Sequence, residues 1–349
     1  MRTLRIAIAL AAPFVLGAPG CVLAGKSAAK SEPAATADQT AGCRGTNMLP
    51  ELAASDPETF ARIDSEAKAA ENGNAIFWKI EKPGVEPSYV FGTVHLTDPR
   101  VTTLSSKVLD ALGKSKAVLL EAADNTPAAT ASALAQAAKT TLFSDGRSLE
   151  KLLSPADYEK VRSTVDRSGL PPGMARLYKP WIVTLLISAS GCERQKIQNG
   201  DLVLDMKIAE EAKSRGIPVT GLETLVSQLE AMSTVPEDQQ LDMLRATLAS
   251  VDRTDDLVET MVQLYLDRRI GGLWPFQLAL AAKAGVGENS FAFFRQALIV
   301  ERNEKMRDGA LPFIEKGGAF IAVGALHLPG RTGLISLFSA KGYTVTPVE

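Results

Sequence analysis

Histidine is the scarcest chemical resource in this sequence: only His95 and His327 are present. Neither sits in a His-Glu-x-x-His helix, which excludes ordinary zincin chemistry. No Gly-x-Ser-x-Gly elbow is present, so serine hydrolysis of that type has no support. A Walker A loop and a dinucleotide-binding glycine fingerprint are both missing. Past the N-terminus no apolar run reaches membrane length; the longest candidate, residues 181–189, fits a short core helix. Net charge is also missing. Removing residues 1–24 takes away two arginines and no acid, leaving 36 basic side chains against 40 acidic. That balance argues for neither nucleic acid nor an anionic membrane as partner.

What is present begins with an export signature. Arg2 and Arg5 precede an apolar stretch over residues 6–16, and Val22-Leu23-Ala24 ends in a small residue. Residues 1–24 are therefore expected to be a signal peptide that sends the chain to the periplasm or the exterior. The alternative is a lipid anchor at Cys21, although Ala18-Pro19-Gly20 before it makes a poor lipobox. Residues 25–42 hold little to bury and read as a flexible leader. Of the three cysteines, Cys43 and Cys192 then remain, and an oxidising compartment makes them the expected disulfide.

Residues 43–349 are expected to form a single domain. Residues 75–81 and 88–93 are β-rich runs flanking a turn at 82–87, hence a hairpin. Further short strands are expected at 117–120 (AVLL), 217–220 (IPVT), 319–323 (AFIAV) and 343–348. Between them lie a large helical insertion at about 125–215 and a helical region at about 225–310. Residues 291–307 carry helical spacing throughout. Strands alternating with helices imply an α/β fold with α+β elements: a central, mixed, mostly parallel sheet with helices on both faces.

The two histidines occupy matching frames, FGTVHL at 91–96 and VGALHL at 323–328. Each ends an apolar strand and precedes a helix and another strand. In such sheets the ligand site lies beyond the carboxyl ends of the strands. His95, Glu121, Glu223 and His327 each follow one strand, so all four are expected at one edge. Two imidazoles with one or two carboxylates suit a divalent Mn, Zn, Co or Fe ion. Each residue also has a plain structural reading. A lone buried histidine is more often a hydrogen-bonded core residue, Glu121 can cap a helix, and Glu223 suits a helix N-terminus. Arg302 and Asn303 can belong to a solvated helix face.

Taken in order, GTVHL, the Glu of LLEA, GLET with Gln228 shortly after, ERNEKM and VGALHLPG resemble the TraB/PrgY/GumN family, which includes the TIKI-type proteases. The resemblance covers most of the chain beyond Cys43. It implies a divalent-metal-dependent hydrolase, a peptidase in the first instance, acting on a peptide or other small hydrolysable substrate outside the cytoplasm. Carried onto this sequence, His95, His327 and Glu121 are the expected metal ligands, with Arg302 and Asn303 close by. One glutamate, Glu121 or Glu223, is expected as general base, and Arg302 is expected to meet an oxyanion or a substrate carboxylate. The alternatives are a non-catalytic peptide- or haem-binding protein, and a metal-free esterase with His95 as base.

Overall fold

Residues 319–324 contain no polar side chain, and all six are buried. A strand of that kind belongs in the middle of a sheet covered on both faces. The computed structural model describes residues 45–124, 127–167 and 173–349, and it places this strand so. Apart from a backbone pairing of Ile8–Ala9 with Val15–Leu16, residues 1–44 lie outside the described residues. The expected signal peptide, the leader, Cys21 and Cys43 therefore lie outside them too.

The sheet has six strands: β1 (Phe77–Lys82), β2 (Val85–Thr93), β3 (Ala117–Leu120), β4 (Val219–Gly221), β5 (Ala319–Gly324) and β6 (Thr344–Pro347). Their order is β4-β3-β5-β2-β1-β6. β5 runs parallel to β3 and β2, and β4 parallel to β3. β1 is the antiparallel member, pairing with β2 and β6. This is the expected mixed α/β class.

Local chemistry sets the details. The hairpin turn is tighter than expected: Lys82 pairs with Val85, leaving Pro83 and Gly84 as a two-residue loop. Proline fixes its own φ, and Gly84 supplies the positive φ of +76° that such a turn needs. β4 starts two residues later than expected. Pro218 has no N–H to give, and pairing opens instead with Val118 N–H donating to its carbonyl at 2.9 Å. Ser154 accepts from the amide of Asp157 at 3.1 Å, just before the helix Pro155–Arg167, as an N-cap should. The expected helix at 291–307 is broken: Ala292–Arg295, then a π-helical stretch Gln296–Val300, then the helix Glu301–Ile314. Such wide turns inside helices are frequent at functional sites.

Two apolar cores result. One lies against the sheet and takes in Ile208 from the helix Leu204–Ser214 and Met306 from Glu301–Ile314. The other is helical and joins Trp181 and Leu185 to Leu244 and Leu298. The two helical regions that look separate in sequence thus share a core, while the last helix of the first region packs on the sheet instead. Among the described residues no helix is long and apolar enough to cross a membrane. Cys192 is disulfide-bonded.

Gly92 is where the two histidine frames meet. A Cβ there would stand 3.0 Å from Leu328 Cδ2 and 3.2 Å from Ala325 Cα, so any larger residue would press β2 against the turn carrying His327. The Tyr265 hydroxyl, buried, donates to the Gly92 carbonyl at 2.8 Å and holds that approach. Gly92→Ala is expected to cost about 1–3 kcal/mol through overpacking. Thermal unfolding followed by circular dichroism checks this; an unchanged midpoint would show that the contact yields freely.

Candidate active site

The carboxyl ends of the parallel strands deliver the expected groups. Beyond the ends of β3 and β4 two further backbone bonds tie the chains together: Leu222 N–H donates to the Leu120 carbonyl at 2.8 Å, and Glu223 N–H to the Glu121 carbonyl at 2.7 Å. Those bonds set the two glutamates side by side. From β5, the Gly324 N–H donates to Glu121 Oε1 at 2.6 Å. The chain then turns through a short 3₁₀ segment, Ala325–His327, that carries His327 back over the strand end.

Arg302 joins these groups. Its Nε–H faces both Glu223 oxygens at 3.0 and 2.9 Å. Nη2 donates to Glu121 Oε2 at 2.8 Å and to Glu223 Oε2 at 2.5 Å. Nη1 donates to the Leu298 carbonyl at 3.2 Å and to His327 Nε2 at 3.3 Å. A guanidinium has five N–H donors, and all five are spent. The Leu298 carbonyl comes from the π-helical stretch, which brings it within reach of the Arg302 side chain. Glu121 Oε1 lies 3.6 Å from His327 Nε2, and Gln228 Nε2 approaches Glu121 Oε2 at 3.5 Å.

Asn303, next along the same helix, turns to the other face of His327. Its Nδ2 donates to the Thr332 carbonyl at 2.8 Å, which leaves Oδ1 to face His327 Nδ1 at 2.7 Å. His95 has a partner that its neighbours in sequence do not foretell: Asp205, the second residue of the helix Leu204–Ser214. Asp205 Oδ2 lies 2.6 Å from His95 Nδ1, and Oδ1 accepts from the Thr93 hydroxyl at 2.7 Å. An acidic residue in a first helical turn is a commonplace of helix electrostatics, so nothing in the pattern around Asp205 singles it out. The Arg302 side chain is 1 % exposed and that of His327 0 %, whereas 12 % of the His95 side chain reaches solvent. The accessible edge of the cluster is therefore at His95.

The TraB/PrgY/gumN family pattern matches residues 76–347 of the chain. The chain belongs to that family. Among its curated relatives is the uncharacterized protein YbaP of Shigella flexneri, 23 % identical over 272 residues, which are 76 % of this chain and 94 % of YbaP. The Escherichia coli (strain K12) YbaP is 22 % identical over the same length. The metalloprotease TIKI2 of Danio rerio is 24 % identical over 321 residues, covering 78 % of this chain and 60 % of that relative. No solved structure matches the chain.

In this TraB/PrgY/gumN member the expected ligand trio is not assembled. Among the described residues no three His, Cys, Asp or Glu side chains are grouped to hold a metal. The guanidinium of Arg302 lies against Glu121 Oε2 and His327 Nε2 and is the local cation. What the site does offer is a donor pair, Glu121 Oε1 and His327 Nε2, with the other nitrogen of His327 pinned as in metal-bound histidines. It also holds two buried carboxylates against one guanidinium, an excess of negative charge that suits a further cation.

Burial alone would push the Glu121 carboxyl upward. Arg302, with both histidines and the Gly324 N–H, overrides it and holds the group at about 2. Burial drives His327 down to about 3; Glu121 opposes this and Arg302 reinforces it. Burial works against the charged form of Arg302, but Glu121 and Glu223 raise it above its ordinary value. Neutral His327 and ionised Glu121 are thus the folded forms at neutral pH.

Both shifts run below the ordinary values of 6.5 and 4.5, so in acid the unfolded chain binds protons that the folded chain refuses. Stability is then complete above about pH 6.5 and falls as pH drops towards 3 for His327, and from 4.5 towards 2 for Glu121. The slope is at most about 1.4 kcal/mol per pH unit for each group. Melting temperatures from pH 7.5 to 4 are expected to decline, with a shallower decline between 6.5 and 4.5 in His327→Gln; a flat wild-type profile there would contradict the burial of neutral His327. Removing the central cation is a harsher change. Arg302→Ala leaves two buried carboxylates uncompensated and is expected to cost about 3–5 kcal/mol. Arg302→Lys restores charge without the planar fork and recovers only part of it. Urea unfolding of the three proteins reads this, and a loss under about 1 kcal/mol in Arg302→Ala would show the glutamates to be solvated.

Proposed function

We propose that this chain is an exported, divalent-metal-assisted hydrolase acting on a peptide or other small acyl substrate. The observation that carries the reading is the pairing at the sheet edge of a carboxylate-backed, partly accessible imidazole, His95, with the buried Glu121–Arg302–His327 network. The 24 % identity to a relative named as a metalloprotease supports the hydrolytic class. Glu121 and His327 are the residues placed to hold the ion, with His327 Nε2 exchanging its contact with Arg302 for the metal. A bound divalent ion would supply Lewis acidity at a carbonyl oxygen and a more acidic water.

The protein's own groups divide the remaining work. His95 stands where water and substrate arrive and is the group suited to take a proton from the attacking water, then return it to the leaving group. Glu121, held far below neutrality, is too weak a base for that step and suits cation binding. Arg302 has no N–H left for an oxyanion, so its role is to fix Glu121 and Glu223. Glu223, with both oxygens on Arg302, is a positioning group. Asn303 orients His327. Export gives the same reading for the cysteines, with Cys43 as the partner of the disulfide-bonded Cys192.

Hydrolysis of a peptide library tests the assignment. The wild type is expected to cleave a subset of peptides, and His95→Ala to lose at least about a hundredfold in rate. Full activity in His95→Ala would sink the assignment. Added Mn or Zn is expected to raise the melting temperature of the wild type but not of Glu121→Gln. No rise in the wild type would remove the metal from the mechanism.

A further inference from the structure

The two histidine frames differ in what stands behind each ring. Behind His327 is a neutral amide whose orientation is fixed: Asn303 Nδ2 donates to the Thr332 carbonyl, which can only accept, so Oδ1 faces Nδ1. Behind His95 is a carboxylate, and it too is committed on one side, because Asp205 Oδ1 takes the Thr93 hydroxyl. Oδ2 is left for His95 Nδ1 at 2.6 Å. An ionised carboxylate only accepts, so Nδ1 carries the proton. Thr93 and His95 lie at the end of β2, and Asp205 reaches them from a helix more than a hundred residues away in sequence. The helix is fastened at the same place by Leu204 N–H donating to the Leu96 carbonyl at 3.2 Å.

We propose that Asp205 is a positioning residue of this site: with Thr93 it pins His95 as the Nδ1–H tautomer, so that the lone pair of the ring sits on Nε2. Imidazole side chains free in water favour the opposite, Nε2–H form, so the pin has something to overcome. The carboxylate also steadies the imidazolium that forms when Nε2 takes a proton, a service that the amide of Asn303 cannot give His327. The two matching frames therefore hold rings of unequal character, a proton-carrying His95 and a His327 that stays neutral.

The chain's two histidines make the test direct. Long-range ¹H–¹⁵N correlation spectra of the imidazoles in the full chain report each tautomer, and His95→Gln and His327→Gln assign the two signals. In the wild type both rings are expected as Nδ1–H. In Asp205→Asn, Thr93 still binds Oδ1 and the amide N–H turns to Nδ1, so His95 is expected to switch to Nε2–H while His327 is unchanged. On a peptide cleaved by the wild type, kcat is expected to fall about ten- to a hundredfold with KM within about twofold. Thr93→Val, which frees Asp205 to rotate, is expected to give a mixture of His95 tautomers. An Nε2–H form of His95 in the wild type overturns the proposal whether or not the variants fold, and so does an unswitched His95 in folded Asp205→Asn. The kinetic arm alone rests on the hydrolase reading: a pinned His95 in a chain that cleaves nothing would sink that reading and leave the role of Asp205 standing.

Discussion

One buried guanidinium organises the edge of this sheet. Arg302 spends every N–H it has on two glutamates, one carbonyl and one imidazole. Without it, Glu121 and Glu223 would be two carboxylates held together out of water, an arrangement that a protein interior does not tolerate uncompensated. With it, both are fixed in place and Glu121 stays ionised beside His327. The backbone contributes to the same end, since Glu223 N–H donates to the Glu121 carbonyl just past β3 and β4 and sets the two glutamates abreast. Side-chain placement and buried charge balance are here the same problem, solved by one side chain.

Around that centre the protein places its two imidazoles unequally. His327 is buried and backed by an amide; His95 is partly accessible and backed by a carboxylate. A site built of two equivalent histidines would suit symmetric ligation, whereas this one gives its two imidazoles different partners and different exposure. The π-helical stretch before Glu301 belongs to the same design. It brings the Leu298 carbonyl to the one guanidinium nitrogen that carboxylates do not reach.

Much of the fold was legible in the sequence because the relevant signals are local. AVLL and AFIAVG are apolar without interruption, which marks strands buried on both faces, and their neighbours in the sheet follow from the alternation of strand and helix. The positions of His95, Glu121, Glu223 and His327 at strand exits were legible for the same reason. Less legible were features that depend on a partner. The late start of β4 reflects a proline carbonyl used by β3, and the shared helical core reflects contacts between regions that have no pattern in common. Arg302 read equally well as part of a solvated helix face, and Asp205 as an ordinary first-turn acid.

The sequence by itself determined the strand and helix periods, the family and the groups delivered to one edge of the sheet, because each of these is written in the spacing of neighbouring residues. Tertiary structure alone decided what those groups do to one another. It joined Arg302 to Glu121 and Glu223, gave His95 to Asp205, gave His327 to Asn303, and spent the guanidinium donors that a substrate was expected to use. The physical reason is that hydrogen-bond partners here are separated by as many as 203 residues. A local pattern fixes which way a side chain leaves its strand or helix, but only the packed fold fixes what it meets.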